Sequence, residues 1–324
     1  MTSNPTIFEK AIAGSEDYDE DIRRLQAEGQ GPAQIFDGLA IADVQAACDE
    51  FMPLYEALDG GDGLVSIEVN PDLANDTEAT IREAARIWRT VGRPNVMIKI
   101  PGTAAGLPAI ASTIASGINV NVTLLFSVER YQEVIEAFQN GLEQCGASGR
   151  PIDRIASVAS FFVSRVDGKV DPLLDKRGIP ALRGKIAIAN AAIAYRAFEA
   201  SLDTARWKAL AALGARPQRP LWASTSTKDP SYPDTYYVEA LIADQTVNTL
   251  PPDTLDAYRD HGRPATRIRE ATAEAPAQLA ALARLGIDLA AITRELERDG
   301  VEKFAASYRQ LISGIELKTA ALAS

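Results

Sequence analysis

The stretch INVNVTLLF at residues 118–126 decides the fold, because it alternates polar and apolar side chains before ending in an apolar run. Successive side chains of a strand point to opposite faces, so Asn119, Asn121 and Thr123 share one face while Ile118, Val120, Val122 and Leu124 take the other. The β-branched apolar face suits a cover of helices. The polar face suits the lumen of a barrel, where such groups are costly unless they serve each other or a ligand. Two readings stay open on pattern alone: a self-satisfied hydrogen-bond layer, or the polar wall of an active site.

Similar short runs flank it: LVSIEV (64–69), NVMIKI (95–100), IASVASFFVS (155–164), PLWAS (220–224) and DQTVNTL (244–250). Between the first two, TEATIREAARIWRTV (77–91) places Ile81, Ala84, Ala85, Trp88 and Val91 on one stripe, with Asn75 or Asp76 as the cap, and predicts a crossover helix. Alanine-rich 183–212 and the segment 302–322 read as further outer helices. Strands alternating with helices predict an α/β fold, a barrel built on a parallel sheet. One domain over 1–324 is expected, longer than the ~250 residues usual for such barrels.

Composition narrows the function. With 33 Lys and Arg against 44 Asp and Glu, the charge of −11 argues against nucleic-acid or membrane-surface partners, but leaves room for a local phosphate pocket. No apolar run approaches the ~20 residues that span a bilayer. No basic stretch followed by an apolar one opens the chain, so a cytoplasmic location is expected. Cys48 and Cys145 have no metal-like spacing and read as buried bystanders. The single histidine, His261, sits in a polar stretch, which removes Ser-His-Asp hydrolysis and histidine-based zinc sites; no glycine-rich nucleotide loop is present.

Lys99 ends a run otherwise suited to complete burial and precedes Pro101-Gly102, and a barrel does its chemistry at that strand end. Desolvation there favours the neutral amine that attacks a ketone, although a lysine snorkelling out of the strand end fits the same pattern. Glu68 is a lone carboxylate in an apolar strand, readable as an ion-pair partner for Lys99 or as a proton shuttle acting through a water held by Thr123 or Asn121. Arg165 closes one run, and Ser224, Ser226 and Lys228 follow another, a set that suits phosphate. Arg165 could equally pair with Asp167, and Lys228 could be a solvated loop residue.

TSNPTIF (2–8), VSIEV (65–69), MIKIP (97–101), INVNVTLLFS (118–127), SFFVSRVD (160–167) and ADQTVNTLP (243–251), in this order, resemble the successive strand signatures of transaldolases. LWASTSTKDPSYPDTYYV (221–238) resembles the actinobacterial variety and the transaldolase half of transaldolase–phosphoglucose isomerase fusions. The resemblance implies a (β/α)8 TIM-type barrel of the class I aldolase kind that works without a metal or organic cofactor. It also implies a pentose phosphate pathway enzyme that moves a dihydroxyacetone unit from a ketose phosphate, such as fructose 6-phosphate or sedoheptulose 7-phosphate, to an aldose phosphate. It makes Lys99 the Schiff-base lysine, and Glu68 and Thr123 the pair that positions the catalytic water. Asn4 and Asn121 become contacts of the dihydroxyacetone unit, with Ser160 and Phe162 lining the same pocket and Arg165 and Ser224 binding phosphate. A homodimer is compatible with the family.

Two departures accompany it. Ser226 stands where many family members carry a second phosphate arginine, which makes Lys228 the substitute cation. Family members also carry a strand and helix before the TSNP motif, with an aspartate that serves carbon–carbon cleavage. The first strand is therefore expected to be missing here, with impaired turnover and a true start upstream of Met1. A fructose-6-phosphate aldolase-like activity and a non-catalytic sugar-phosphate-binding protein are the competing readings.

Overall fold

The computed structural model describes residues 1–322. Six parallel strands lie side by side in chain order: β1 (Val65–Glu68), β2 (Val96–Pro101), β3 (Val120–Leu125), β4 (Ser157–Phe162), β5 (Arg219–Ala223) and β6 (Val247–Asn248). Every position of β2 and β3 is buried, as a parallel sheet covered on both faces requires. Ahead of β1, Thr2 bridges Ser66 in parallel, and Ser3 N–H donates to the Ser66 carbonyl at 3.2 Å. The expected eight-stranded barrel is thus seen as six strands plus this bridge. Among the described residues, no pairing joins the Thr2 edge to β6.

The crossover helix Thr77–Val91 forms where its period places it. Asp76, not Asn75, is the cap, its carboxylate accepting from Ala79 N–H at 2.9 Å, and Gly92 ends the helix in the left-handed region at φ 60°. Its buried stripe turns slightly from the expected one, with Ile87 buried and Trp88 only partly so. The segment 183–212 is two helices, Ile186–Leu202 and Ala205–Ala212, because the Thr204 hydroxyl accepts from Trp207 N–H at 3.1 Å and starts a new one. The stretch 302–322 belongs to a longer helix, Leu289–Leu322. DQTVNTL yields only the two residues of β6, since Gln245 takes a left-handed φ of 55° and Thr246 bonds back to the Ala243 carbonyl.

Asn119 explains why the base of β3 is polar. Its amide donates to the carbonyls of Pro94 and Val96 at 2.9 and 3.0 Å and accepts from Ala156 N–H at 2.8 Å, tying three neighbouring chain segments. The cysteines are buried and free, and burial pushes the Cys48 thiol up to about 11, as befits a packing residue. No single described helix is long and apolar enough to cross a membrane.

Outer helices touch closely at Gly141, on the helix Val128–Ala147, where a Cβ would sit 2.7 Å from the Ala111 carbonyl oxygen. Gly141→Ala is expected to cost ~1–3 kcal/mol in urea denaturation by forcing the two helices apart. Unchanged stability would show that the contact yields freely.

Candidate active site

The parallel register sets Glu68, Lys99 and Asn121 side by side across β1, β2 and β3. Lys99 is 5% exposed, so it does not snorkel. Its Nζ donates to the Ser3 carbonyl at 3.1 Å and lies 3.6 Å from Glu68 Oε2. Phe304, from the helix Leu289–Leu322, places its ring centroid 6.0 Å from the same nitrogen.

Glu68 is buried beside Lys99, yet neither carboxylate oxygen has a protein hydrogen bond. Burial pushes its carboxyl above the usual range, and the Lys99 charge opposes that rise without cancelling it. One register step beyond, opposite Pro101, the fully buried Thr123 hydroxyl also lacks a protein partner. Buried polar atoms of this kind are normally satisfied, so Glu68 and Thr123 retain bonding capacity toward a third group.

Asn121 differs from both. Its amide donates to Ser66 Oγ at 3.0 Å and accepts from Ser160 Oγ at 2.7 Å, which fixes its orientation across the lumen. Ser66 was not marked by the sequence reading, although its place two residues before Glu68 puts it on the same face. The polar face of β3 is therefore divided: Asn119 and Asn121 are satisfied, and the Thr123 hydroxyl is not. Leu124 leaves the alternation, because a left-handed φ of 60° and a register shift before Leu125 break the ladder.

The expected anion groups gather past the ends of β4 and β5. Arg165 stacks over the Phe162 ring at 5.1 Å and is half-buried, and burial lowers its pKa. It has no carboxylate partner among the described residues, which removes the Asp167 salt bridge as an explanation. Asp167 points elsewhere, accepting from Ala187 N–H at 2.8 Å and Tyr237 Oη at 2.9 Å. Ser224, left-handed at φ 55°, places its hydroxyl 3.1 Å from Ser164 Oγ, a partner the sequence reading missed. Lys228 donates to Ser226 Oγ at 2.7 Å, and its pKa is pushed down first by burial and then by the Arg165 charge. The Arg165 charge is felt at Lys228, so the two cations lie near each other past the ends of β4 and β5.

Asn4 has a structural duty as well. It is the cap of the helix Pro5–Gly14, its Oδ1 accepting from Ile7 N–H at 2.9 Å, so that oxygen is engaged by backbone. It adjoins Ser3, whose carbonyl holds Lys99, and together with Glu68 it lines a cavity of about 210 Å³. Arg86 on that cavity's wall is matched by Asp37 at 2.7 Å and Glu83 at 2.8 Å. His261 lies at the surface between Asp234 and Asp260. No cluster of His, Cys, Asp and Glu suited to a metal occurs among the described residues.

A family profile described as transaldolase/fructose-6-phosphate aldolase matches residues 1–315. The chain belongs to the transaldolase/fructose-6-phosphate aldolase family. Among its relatives, the transaldolase of Acidothermus cellulolyticus is 56% identical over 97% of this chain and 86% of its own length. Those of Parafrankia sp. and Thermobifida fusca are 52% and 50% identical over 100% and 99% of this chain, covering 89% and 88% of their own lengths.

Beside the anion groups, burial and the nearby Asp171 charge hold the Asp167 carboxyl up to about 7, against ~3.9 in an unfolded chain. The folded state therefore binds the extra proton between these values. Stability contributed by this group is complete below about 4 and is lost as pH rises through about 7. Asp167→Asn is expected to lose less stability than the parent between pH 5 and pH 8 in chemical denaturation. An identical loss in both proteins would contradict the assignment.

Proposed function

We propose that this chain is a transaldolase that forms a Schiff base through Lys99 with a ketose phosphate. The carrying observation is the buried Lys99 amine 3.6 Å from a Glu68 carboxyl that has no other protein hydrogen bond. Imine formation joins the amine nitrogen to the ketose carbonyl carbon and then expels the carbonyl oxygen as water. Both stages need a group that gives and takes protons. Glu68, with its pKa raised by burial, is suited to do so, through a water held jointly with the unpartnered Thr123 hydroxyl.

Water then takes the proton of the C4 hydroxyl, that oxygen becomes the aldehyde carbonyl of the departing aldose phosphate, and the iminium nitrogen accepts the electron pair of the broken C3–C4 bond. The same proton is returned when the transfer runs in the bond-forming direction. A three-carbon enamine stays on Lys99, and an aldose phosphate leaves. Attack of the enamine carbon on the aldehyde of an incoming aldose phosphate completes the transfer, and hydrolysis of the new imine frees the lysine. In this reading Asn121, oriented by Ser66 and Ser160, hydrogen-bonds hydroxyls of the three-carbon unit with its remaining capacity, as does the amide nitrogen of Asn4, whose oxygen is engaged by the helix cap. Arg165 and Lys228, with the Ser224 hydroxyl, hold the phosphate and so set the distance between sugar carbonyl and Lys99.

Transfer from fructose 6-phosphate to erythrose 4-phosphate, followed by formation of glyceraldehyde 3-phosphate, tests this reading. Lys99→Ala is expected to abolish it. Arg165→Ala is expected to raise KM about tenfold to a hundredfold, matching ~1.5–3 kcal/mol for a hydrogen bond to a charged group, while kcat changes less. Transfer that survives in the Lys99 variant, or an unchanged KM in the Arg165 variant, would contradict the respective role.

A further inference from the structure

The helix Leu289–Leu322 is fastened at several points along its length, mostly by groups that lie just past strand ends. Glu297 pairs with Arg130, after β3, at 3.4 Å; Glu295 and Asp299 pair with Lys169, after β4, at 2.6 and 3.1 Å. Arg309 pairs with Asp72, after β1, at 2.9 Å, and Ser307 Oγ accepts from Thr6 at 2.9 Å. Each exposed pair contributes little alone. Their common location fixes the course of the helix, which crosses the mouth where Lys99 and Thr123 reach the strand ends.

At the crossing, Gly300 allows close approach: a Cβ there would lie 3.1 Å from Leu124 Cδ2 and 3.5 Å from the Phe126 ring. One turn later, and on the same face, Phe304 is 7% exposed and carries its ring to 6.0 Å from Lys99 Nζ. An aromatic ring at this spot covers one side of the nitrogen with apolar surface and limits the approach of bulk water from that side, leaving the Glu68 and Thr123 side open to a held water.

We propose that Phe304 is a positioning residue that roofs the Lys99 imine, shielding the covalent three-carbon intermediate from water until an aldehyde acceptor arrives. The inference rests on the Schiff-base reading above. Loss of the intermediate as free dihydroxyacetone needs a proton on the enamine carbon and then one water on the iminium carbon. The carbon–nitrogen bond breaks, and its electron pair returns to Lys99 as the amine. Transfer instead joins the same enamine carbon to the acceptor aldehyde, and needs no water at that stage. A roof that restricts water slows the first route more than the second.

The full chain and its Phe304→Ala and Phe304→Leu variants are compared with fructose 6-phosphate, with and without erythrose 4-phosphate. Free dihydroxyacetone and transferred product are measured, and Lys99 is trapped with borohydride in parallel. The ratio of release to transfer is expected to rise about tenfold in Phe304→Ala and to stay near the parent value in Phe304→Leu, with Lys99 still trapped in both. Lys169→Ala removes two fastenings from a partly exposed position, without touching the core, and is expected to raise the ratio severalfold. An unchanged ratio in both Phe304→Ala and Lys169→Ala, with Lys99 still trapped, overturns the roof. A parent protein in which Lys99 is never trapped overturns the Schiff-base reading beneath it, and the roof with it.

Discussion

Holding an amine and a carboxyl 3.6 Å apart inside a parallel sheet is the constraint from which the remaining features of the site follow. Removing both groups from water is expensive, and the pairing recovers only part of that cost. The burial that raises the Glu68 carboxyl comes from close packing on both faces of β1, β2 and β3. Lys99 is held from several directions, by the Ser3 carbonyl, by Glu68 and by the Phe304 ring, which come from three separate parts of the chain.

Polar groups along the sheet interior divide by depth. At the base, Asn119 bonds only to backbone, and Ser157 donates to the Val120 carbonyl while accepting from Gln218. Higher up, Ser66, Asn121 and Ser160 form a chain across the lumen. Near the strand ends Glu68 and Thr123 lack protein partners, and at the base the Oδ1 of Asn95 and the Oε1 of Gln218 are also without one. The Ser66–Asn121–Ser160 chain gives orientation across the lumen, while the Glu68 carboxylate and Thr123 hydroxyl keep bonding capacity at the end of the sheet where a barrel's loops converge.

The strands were legible because β-branched runs and period-two alternation are local signals, and the register then places Glu68, Lys99 and Asn121 together with no further information. Lys99 alone could not be decided from its own neighbours, since a snorkelling lysine shows the same local pattern; the matching motifs on the other strands pointed to chemistry. What escaped was long-range or conformational. Asp167 was weighed as a partner for Arg165, but Tyr237, 70 positions away, claims it. Asn4 was read by resemblance for a substrate role, and its oxygen also caps a helix. Phe304 lies more than two hundred residues from Lys99, in a helix whose own periodicity says nothing about the mouth it crosses. Closure into eight strands depends on pairing between distant edges, and the described residues pair six strands and one bridge.

The most direct test of the account is borohydride reduction in the presence of fructose 6-phosphate, followed by peptide mass mapping of the folded protein. The account predicts a reduced three-carbon or sugar adduct on the peptide containing Lys99 and on no other lysine. An unmodified Lys99 in folded protein that still transfers the three-carbon unit, or an adduct confined to a different lysine, would contradict it.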